Sequence, residues 1–296
     1  MRILLALGGN ALLPPSGADF NDYHATVKAT ASSIAKLVKA GHKVAITHGN
    51  GPQVGNRLLQ QEACSETPRL PLDVLGAETQ GQIGYMLQKE LRNALPSKET
   101  ISIVTQVVVD AKDEAFSNPT KSVGPFYDVP PGRPGWTVRK IGQRWRRVVP
   151  SPKPVDIIEK EAIKEAHGKG IVIACGGGGI PVIRHGGRLE GVEGVIDKDL
   201  AGAIMASLLD VDLFLMLTDV DGVHLNHGKA DQTLLRRMAV KDAKRLLEGD
   251  ELGEGSMRPK VQAAVNFVSK TGKSAIIASL KDMQKAVEGK AGTIIV

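Results

Sequence analysis

A chain of 296 residues with 42% apolar and only 3% aromatic side chains can bury a large, mainly aliphatic core, as one sizeable α/β domain or two lobes. Its 38 basic and 32 acidic residues leave a net charge of +6 without a long basic run or aromatic-interleaved patch, which suits small anionic ligands and argues against nucleic acid. Cys64 and Cys175 stand far apart without metal-ligand spacing, no membrane span is present, and Gly8 breaks the apolar start too early for a secretory core, so a soluble cytoplasmic protein is expected.

The elements alternate along the chain. A strand at Ile3 to Leu7 ends in Gly8-Gly9-Asn10, and a helix follows from about Asp22 to Ala40, closed by Gly41. A second strand, Val44 to Thr47, ends in His48-Gly49-Asn50-Gly51. Helical patterns at about Pro52 to Ala63 and Leu72 to Asn93 precede a strand at Ile101 to Val109. The stretch from Asn118 to Pro154 breaks the rhythm: it carries many of the prolines, both tryptophans and Arg144, Arg146 and Arg147, as a small subdomain, lid or interface element would. Alternation resumes with a helix at about Asp156 to His167 and a strand at Ile171 to Ala174 that runs into Cys175 and four glycines, Gly176 to Gly179. A hairpin near Arg184 to Leu189, a helix at Asp199 to Leu209, a strand at Leu213 to Leu217, a helix near Pro259 to Ser269 and strands at Ser274 to Ala278 and Thr293 to Val296 complete the pattern. Strand–helix repetition of this kind predicts a largely parallel sheet covered on both faces.

Three of these strands end in glycine clusters. In open α/β sheets ligands lie beyond the carboxyl ends of the strands, and glycines there let backbone N–H groups approach an anion. A site for phosphate-bearing ligands is therefore expected. The familiar phosphate motifs are absent: there is no G-x-x-x-x-G-K-[ST], and Gly49, Gly51 and Gly55 are spaced one residue too far for the dinucleotide fingerprint. Asn10 and Asn50 either donate to an anion or cap the helices that follow. Lys121, Lys198 and Lys260 lie beside turns near sheet edges or helix starts, where phosphate is favoured. Asp197 and Asp199 would fix those lysines or hold a hydrated metal ion, unless Asp199 is simply a helix cap. Asp219 to Gly222 lacks calcium-loop spacing and reads as a turn, and His48 reads as a structural hydrogen-bonding group.

Taken together, Ala6 to Ala11, His48 to Asn56, Gln80 to Tyr85, Thr105 to Asp110, Asn118-Pro119-Thr120-Lys121, Trp145 to Pro152, Gly176 to Pro181, Val195 to Asp199, Leu217 to Val220 and Gly255 to Lys260 resemble the amino-acid-kinase superfamily, and within it the carbamate kinases closely. The resemblance implies a three-layer αβα sandwich whose N-terminal half, about residues 1–170, binds the phosphoryl acceptor and whose C-terminal half, about 171–296, binds ATP or ADP. It also implies a protruding subdomain over about 118–152, a homodimer, and the reaction ATP + carbamate ⇌ ADP + carbamoyl phosphate, used to make ATP in arginine catabolism, with Mg2+ held by nucleotide phosphates and no direct protein metal ligand. On this reading Gly8, Gly9, Asn10, Gly49, Asn50 and Gly51 supply N–H groups to carbamate and the transferred phosphoryl group, with Gly176 and Gly177 beside them. Lys121, Lys198 and Lys260 neutralise phosphoryl charge, Asp199 and Asp197 position the lysines, and Thr218, Asp219, Val220, Met257 and Pro259 lie near the nucleotide. Arg144 stands where a glycine is usual before Trp145. Two alternatives stay open: a kinase of the same fold for another carboxylate or phosphate acceptor, and a non-catalytic nucleotide-binding regulatory protein.

Overall fold

In β1 (Arg2–Leu7), Leu4 and Ala6 belong to one buried cluster and Ile3, Leu5 and Leu7 to another, so the strand is packed on both faces. Burying such side chains contributes about 1.5–3 kcal/mol each for the larger ones. The computed structural model describes residues 1–8, 12, 19–64, 66–249, 251–252 and 255–296. α1 (Phe20–Lys39) starts at a reciprocal capping box of Asp19 and Asp22, and the chain turns at Gly41, whose φ is +88°. β2 (Lys43–His48) repeats the two-faced burial of β1, and α2 (Gly51–Ala63) and α3 (Leu72–Ala94) follow.

The run from Ile101 to Val109 departs from the single strand its pattern predicts. It divides into β3 (Thr100–Ser102) and β4 (Gln106–Val109), which join different sheets. The break falls at Thr105. Its N–H donates to Gln80 Oε1 at 2.7 Å, and its carbonyl accepts from Gln80 Nε2 at 3.2 Å and from the Ile180 N–H at 2.8 Å. A buried side chain of α3 thus takes the ladder bonds a continuous strand would need.

β5 (Lys121–Tyr127), β6 (Thr137–Ile141) and β7 (Arg144–Val149) form a separate antiparallel sheet with β7 in the middle. The helix expected from Asp156 begins only at Lys160, because β8 (Pro154–Ile157) pairs with β4 before α4 (Lys160–Lys169) starts. β9 (Ile171–Ile173) leads to the four glycines, and β10 (Ile180–His185) and β11 (Arg188–Gly191) form the expected hairpin. α5 (Lys198–Leu208) and β12 (Leu213–Thr218) follow. The next stretch holds elements the sequence pattern left unread: β13 (Val223–Leu225), β14 (Thr233–Leu235), β15 (Arg237–Met238) and α6 (Val240–Glu248). α7 (Met257–Thr271), β16 (Ser274–Ser279), α8 (Met283–Val287) and β17 (Thr293–Ile295) end the fold.

The main sheet has the order β15-β17-β16-β12-β1-β2-β9-β3, parallel except between β16 and β17. α1, α3 and α8 cover one face and α4 to α7 the other, giving three αβα layers. A smaller sheet, β11-β10-β4-β8, flanks it in the chain's middle. Among the described residues no helix is long and apolar enough to cross a membrane.

Candidate functional site

β12, β1, β2 and β9 are successive parallel neighbours, so their carboxyl ends open along one edge. A cavity of about 860 Å³ is lined by Gly8 after β1, Gly49 to Gly51 after β2, Gly177 after β9, and Thr218 and Asp219 at the end of β12. Lys121 to Pro125 and Arg146, from β5 and β7, also line it, as do Asp197, Lys198, Asp199 and Lys260. The geometry therefore gathers most of the residues singled out in the sequence. Gly176, Val220, Met257 and Pro259 are not in the lining, and Gly9 and Asn10 lie outside the described residues.

Two expected donors are already engaged. The Gly8 N–H donates to the Leu217 carbonyl and the Gly49 N–H to the Leu7 carbonyl, each at 3.0 Å, extending the parallel ladder past the strands. They cannot serve an anion as donors without breaking the sheet edge. The start of α2 offers others: Asn50 sits at the cap position but makes no capping bond, Pro52 follows Gly51, and no acidic residue lies in the first turn. Instead Asn50 Nδ2 donates to Thr79 Oγ1 at 2.9 Å. The start of α7, with Ser256 and Lys260 in the lining, likewise has no side-chain cap and no acid in its first turn.

The charges are organised in two clamps. Asp199 holds Lys198 Nζ at 2.5 Å through one oxygen and Lys260 Nζ at 3.3 Å through the other. All three side chains are nearly buried, at 3%, 12% and 5% exposure for Asp199, Lys198 and Lys260. Lys260 also donates to the Ser256 carbonyl at 3.3 Å. Asp197 takes the second clamp: one oxygen accepts from Lys121 Nζ at 3.1 Å, the other from the Asp199 N–H at 2.9 Å. The cap of α5 is thus Asp197, not Asp199. Burial pushes the Asp197 carboxyl up, but Lys121, Lys198 and the Asp199 N–H hold it below the usual carboxylate range. Burial and the neighbouring Lys260 charge push the Lys198 ammonium down, against the pull of Asp199. His48, fully buried, is pushed down to about 4 by burial and by Lys198, so it is neutral near pH 7 and no source of site charge. Its Nδ1 meets the Gly49 carbonyl at 3.1 Å, the structural role expected of it.

The four-glycine loop shows why side chains are excluded there. A Cβ on Gly177 would lie 2.2 Å from the Asn50 amide, and one on Gly178 would lie 2.4 Å from the Ile196 carbonyl oxygen. Both residues also have positive φ, +67° and +95°. Gly176 packs beneath the His48 ring, which a Cβ would meet at 2.6 Å. The loop is fixed from below by Thr105 Oγ1, which accepts from the Cys175 N–H at 3.0 Å, and by Thr47 Oγ1, which donates to the Cys175 carbonyl at 2.8 Å. Gly178→Ala is expected to lower stability by about 1–3 kcal/mol from backbone strain, with the carbonyl clash in addition. Chemical denaturation checks this; an unchanged midpoint would show that the loop yields freely.

Ser256, Ser279, Lys281 and Arg146 line the cavity without having been singled out as site residues. Arg146 carried a signal, the arginine run after Gln143, but its target is visible only once β7 is paired with β5. Ser279 ends a strand of ordinary composition and Lys281 follows it, and neither left a comparable mark.

A family profile described as the amino acid kinase family matches residues 1–279. The carbamate kinase of Pyrococcus horikoshii is 46% identical over 307 aligned positions, covering 99% of this chain and 98% of that one. The carbamate kinase of Thermococcus kodakarensis is 47% identical over 311 positions, covering 100% of this chain and 99% of that one. The solved structure of carbamate kinase from Giardia lamblia bound to AMP-PNP has a TM-score of 0.91 at 41% identity, covering 100% of this chain and 98% of that one. With the matching fold and identity of this level along its whole length, the chain belongs to the amino acid kinase family, within it to the carbamate kinases, and is a phosphotransferase.

Proposed function

We propose that the protein catalyses ATP + carbamate ⇌ ADP + carbamoyl phosphate in the cavity at the carboxyl edge of the main sheet. The observation that carries this reading is the convergence of Lys121, Lys198 and Lys260, each anchored by Asp197 or Asp199 at the start of α5, on a cavity bordered by glycine loops. A carbamate oxygen attacks the γ-phosphorus, the bond to the bridging oxygen breaks, and its electron pair stays on the β-phosphate of ADP. No proton moves, so no general base is needed, which agrees with the weak basicity of buried His48, pushed down to about 4, with its Nδ1 at the Gly49 carbonyl. Catalysis then rests on alignment and charge stabilisation.

On this reading the three lysines neutralise charge on the transferred and β-phosphoryl groups, and their two aspartates hold them in place. The uncapped starts of α2 and α7 present N–H groups to phosphoryl oxygens. Gly8 and Gly49 act by allowing close approach, and Thr218 and Asp219 lie on the nucleotide side, with residues 1–170 serving the acceptor and 171–296 the nucleotide. The three-stranded sheet, within 118–152, serves as a lid. Mg2+ would ride on the nucleotide phosphates and neutralise their charge there; the donor set fits this, since Asp197 and Asp199 are committed to lysines. A cytoplasmic homodimer that makes ATP from carbamoyl phosphate during arginine breakdown completes the proposal.

An acceptor panel tests it. With ATP and Mg2+, ADP formation is expected with carbamate at a kcat/KM roughly 10²-fold or more above that with N-acetylglutamate or a nucleoside monophosphate. Equal or better turnover of a larger acceptor would overturn the assignment of carbamate.

A further inference from the structure

The segment 118–152 contains five arginines, and four of them have side-chain partners. Arg144 pairs with Asp128 at 3.0 Å, Arg147 with Glu193 at 2.6 Å and Arg133 with Glu62 at 3.7 Å, while Arg139 donates to Asn118 Oδ1 at 2.6 Å. Arg146 is different. It is half-buried and lines the cavity, yet among the described residues it pairs with no carboxylate.

Its position is nonetheless fixed. Nε donates to the Gly124 carbonyl at 3.0 Å, and the guanidinium lies 4.8 Å from the centre of the Phe126 ring. The ladder between β5 and β7 shifts register between Val123 and Phe126, where Gly124 has φ +70°. Such bulges re-aim a side chain beside a site, and this one brings its carbonyl to Arg146. The terminal nitrogens of the guanidinium have no protein acceptor among the described residues. A cation taken partly out of water without a counter-ion is costly unless an anion arrives, and burial alone already pushes this guanidinium down.

We infer that Arg146 is a further phosphoryl-binding residue: its free edge takes two oxygens of the phosphoryl group of carbamoyl phosphate, or the same group on ATP before transfer. The planar fork matches two oxygens of one phosphate as a lysine does not. This rests on the carbamate kinase reading for the identity of the ligand, though not for its phosphoryl chemistry. It also gives the lid a chemical task, because the residue that closes on the phosphoryl group travels with β7.

Arg146→Gln, Arg146→Lys and the control Arg144→Gln test it by titration calorimetry with carbamoyl phosphate, inorganic phosphate and ADP, alongside steady-state kinetics. Arg146→Gln is expected to weaken carbamoyl phosphate and inorganic phosphate roughly tenfold or more, as loss of a charged hydrogen bond does. ADP affinity should stay within about twofold, Arg146→Lys should recover only part, and Arg144→Gln should match the wild type. Wild-type phosphate affinity in Arg146→Gln, or an equal loss for ADP, overturns the inference. If the wild type binds phosphate but makes no ATP from carbamoyl phosphate, the reaction assignment fails, while a tenfold loss of phosphate affinity in Arg146→Gln still supports the phosphoryl role. Wild type that binds neither anion overturns both.

Discussion

Asp199→Ala is expected to lose at least about 10² in kcat and about 3–5 kcal/mol of stability, because it removes the one carboxylate between two nearly buried ammonium groups. Both oxygens of Asp199 are committed, so Lys198 and Lys260 would repel each other with only Asp197 nearby. Asp199→Asn keeps the shape and removes the charge, so it separates the electrostatic effect from a packing defect. Saturating nucleotide should return part of the lost stability, since its phosphates replace the missing anion and bind only the folded chain. Chemical denaturation with and without ADP, together with kcat, checks the argument. An Asp199→Asn protein with wild-type stability and turnover would show that the clamp is incidental.

Lys198→Ala is expected to behave in the opposite way on stability and the same way on rate. It deletes a buried cation whose charged form is disfavoured, and Asp199 keeps Lys260, so the fold should persist. Turnover should fall by about 10²–10³, the 2.7–4 kcal/mol that a preorganised charge contact commonly contributes. Lys198→Arg should not restore it, because the guanidinium fork cannot occupy the space of a point charge held at 2.5 Å from Asp199. The pH dependence carries a sign. The folded-state value of Lys198 lies below the ordinary 10.5, so the charge needed for catalysis is lost at lower pH than for a free lysine. Activity should therefore decline on the alkaline side below 10.5. Between the folded value and 10.5 the unfolded chain binds more protons, so this group makes stability rise with pH across the window in which activity falls. A folded Lys198→Ala protein with unchanged kinetics contradicts the assignment.

The parallel sheet and its glycine-ended edge were legible because β1, β2 and β9 are short apolar runs that stop at glycine clusters, and after β1 and β9 a Cβ at Gly8 or at Gly176 to Gly179 would crowd neighbouring atoms. The lysines were legible only through their neighbours, since Pro119, Asp197 and Pro259 mark turns and helix starts, whereas their shared cavity is a product of strand order. The division of labour between Asp197 and Asp199 was not readable: two carboxylates two residues apart could exchange roles, and only the helix start decides which one caps. The engagement of the Gly8 and Gly49 N–H groups was hidden for a similar reason, because it depends on β12 and β1 being the next strands in the sheet. The split of Ile101 to Val109 was invisible because its cause, Gln80, lies on another element. Arg146 was visible as one of a run of arginines, and its place in the cavity followed from the register of β5 on β7.

The measurement closest to the central claim is a coupled assay of ATP formation from ADP, Mg2+ and synthetic carbamoyl phosphate, run on the wild type and on Lys121→Ala, Lys198→Ala and Lys260→Ala. The wild type is expected to form ATP readily, and each folded variant at least about tenfold more slowly. A wild-type protein that binds ADP yet forms no ATP, or folded lysine variants that work as well as the wild type, would contradict that claim.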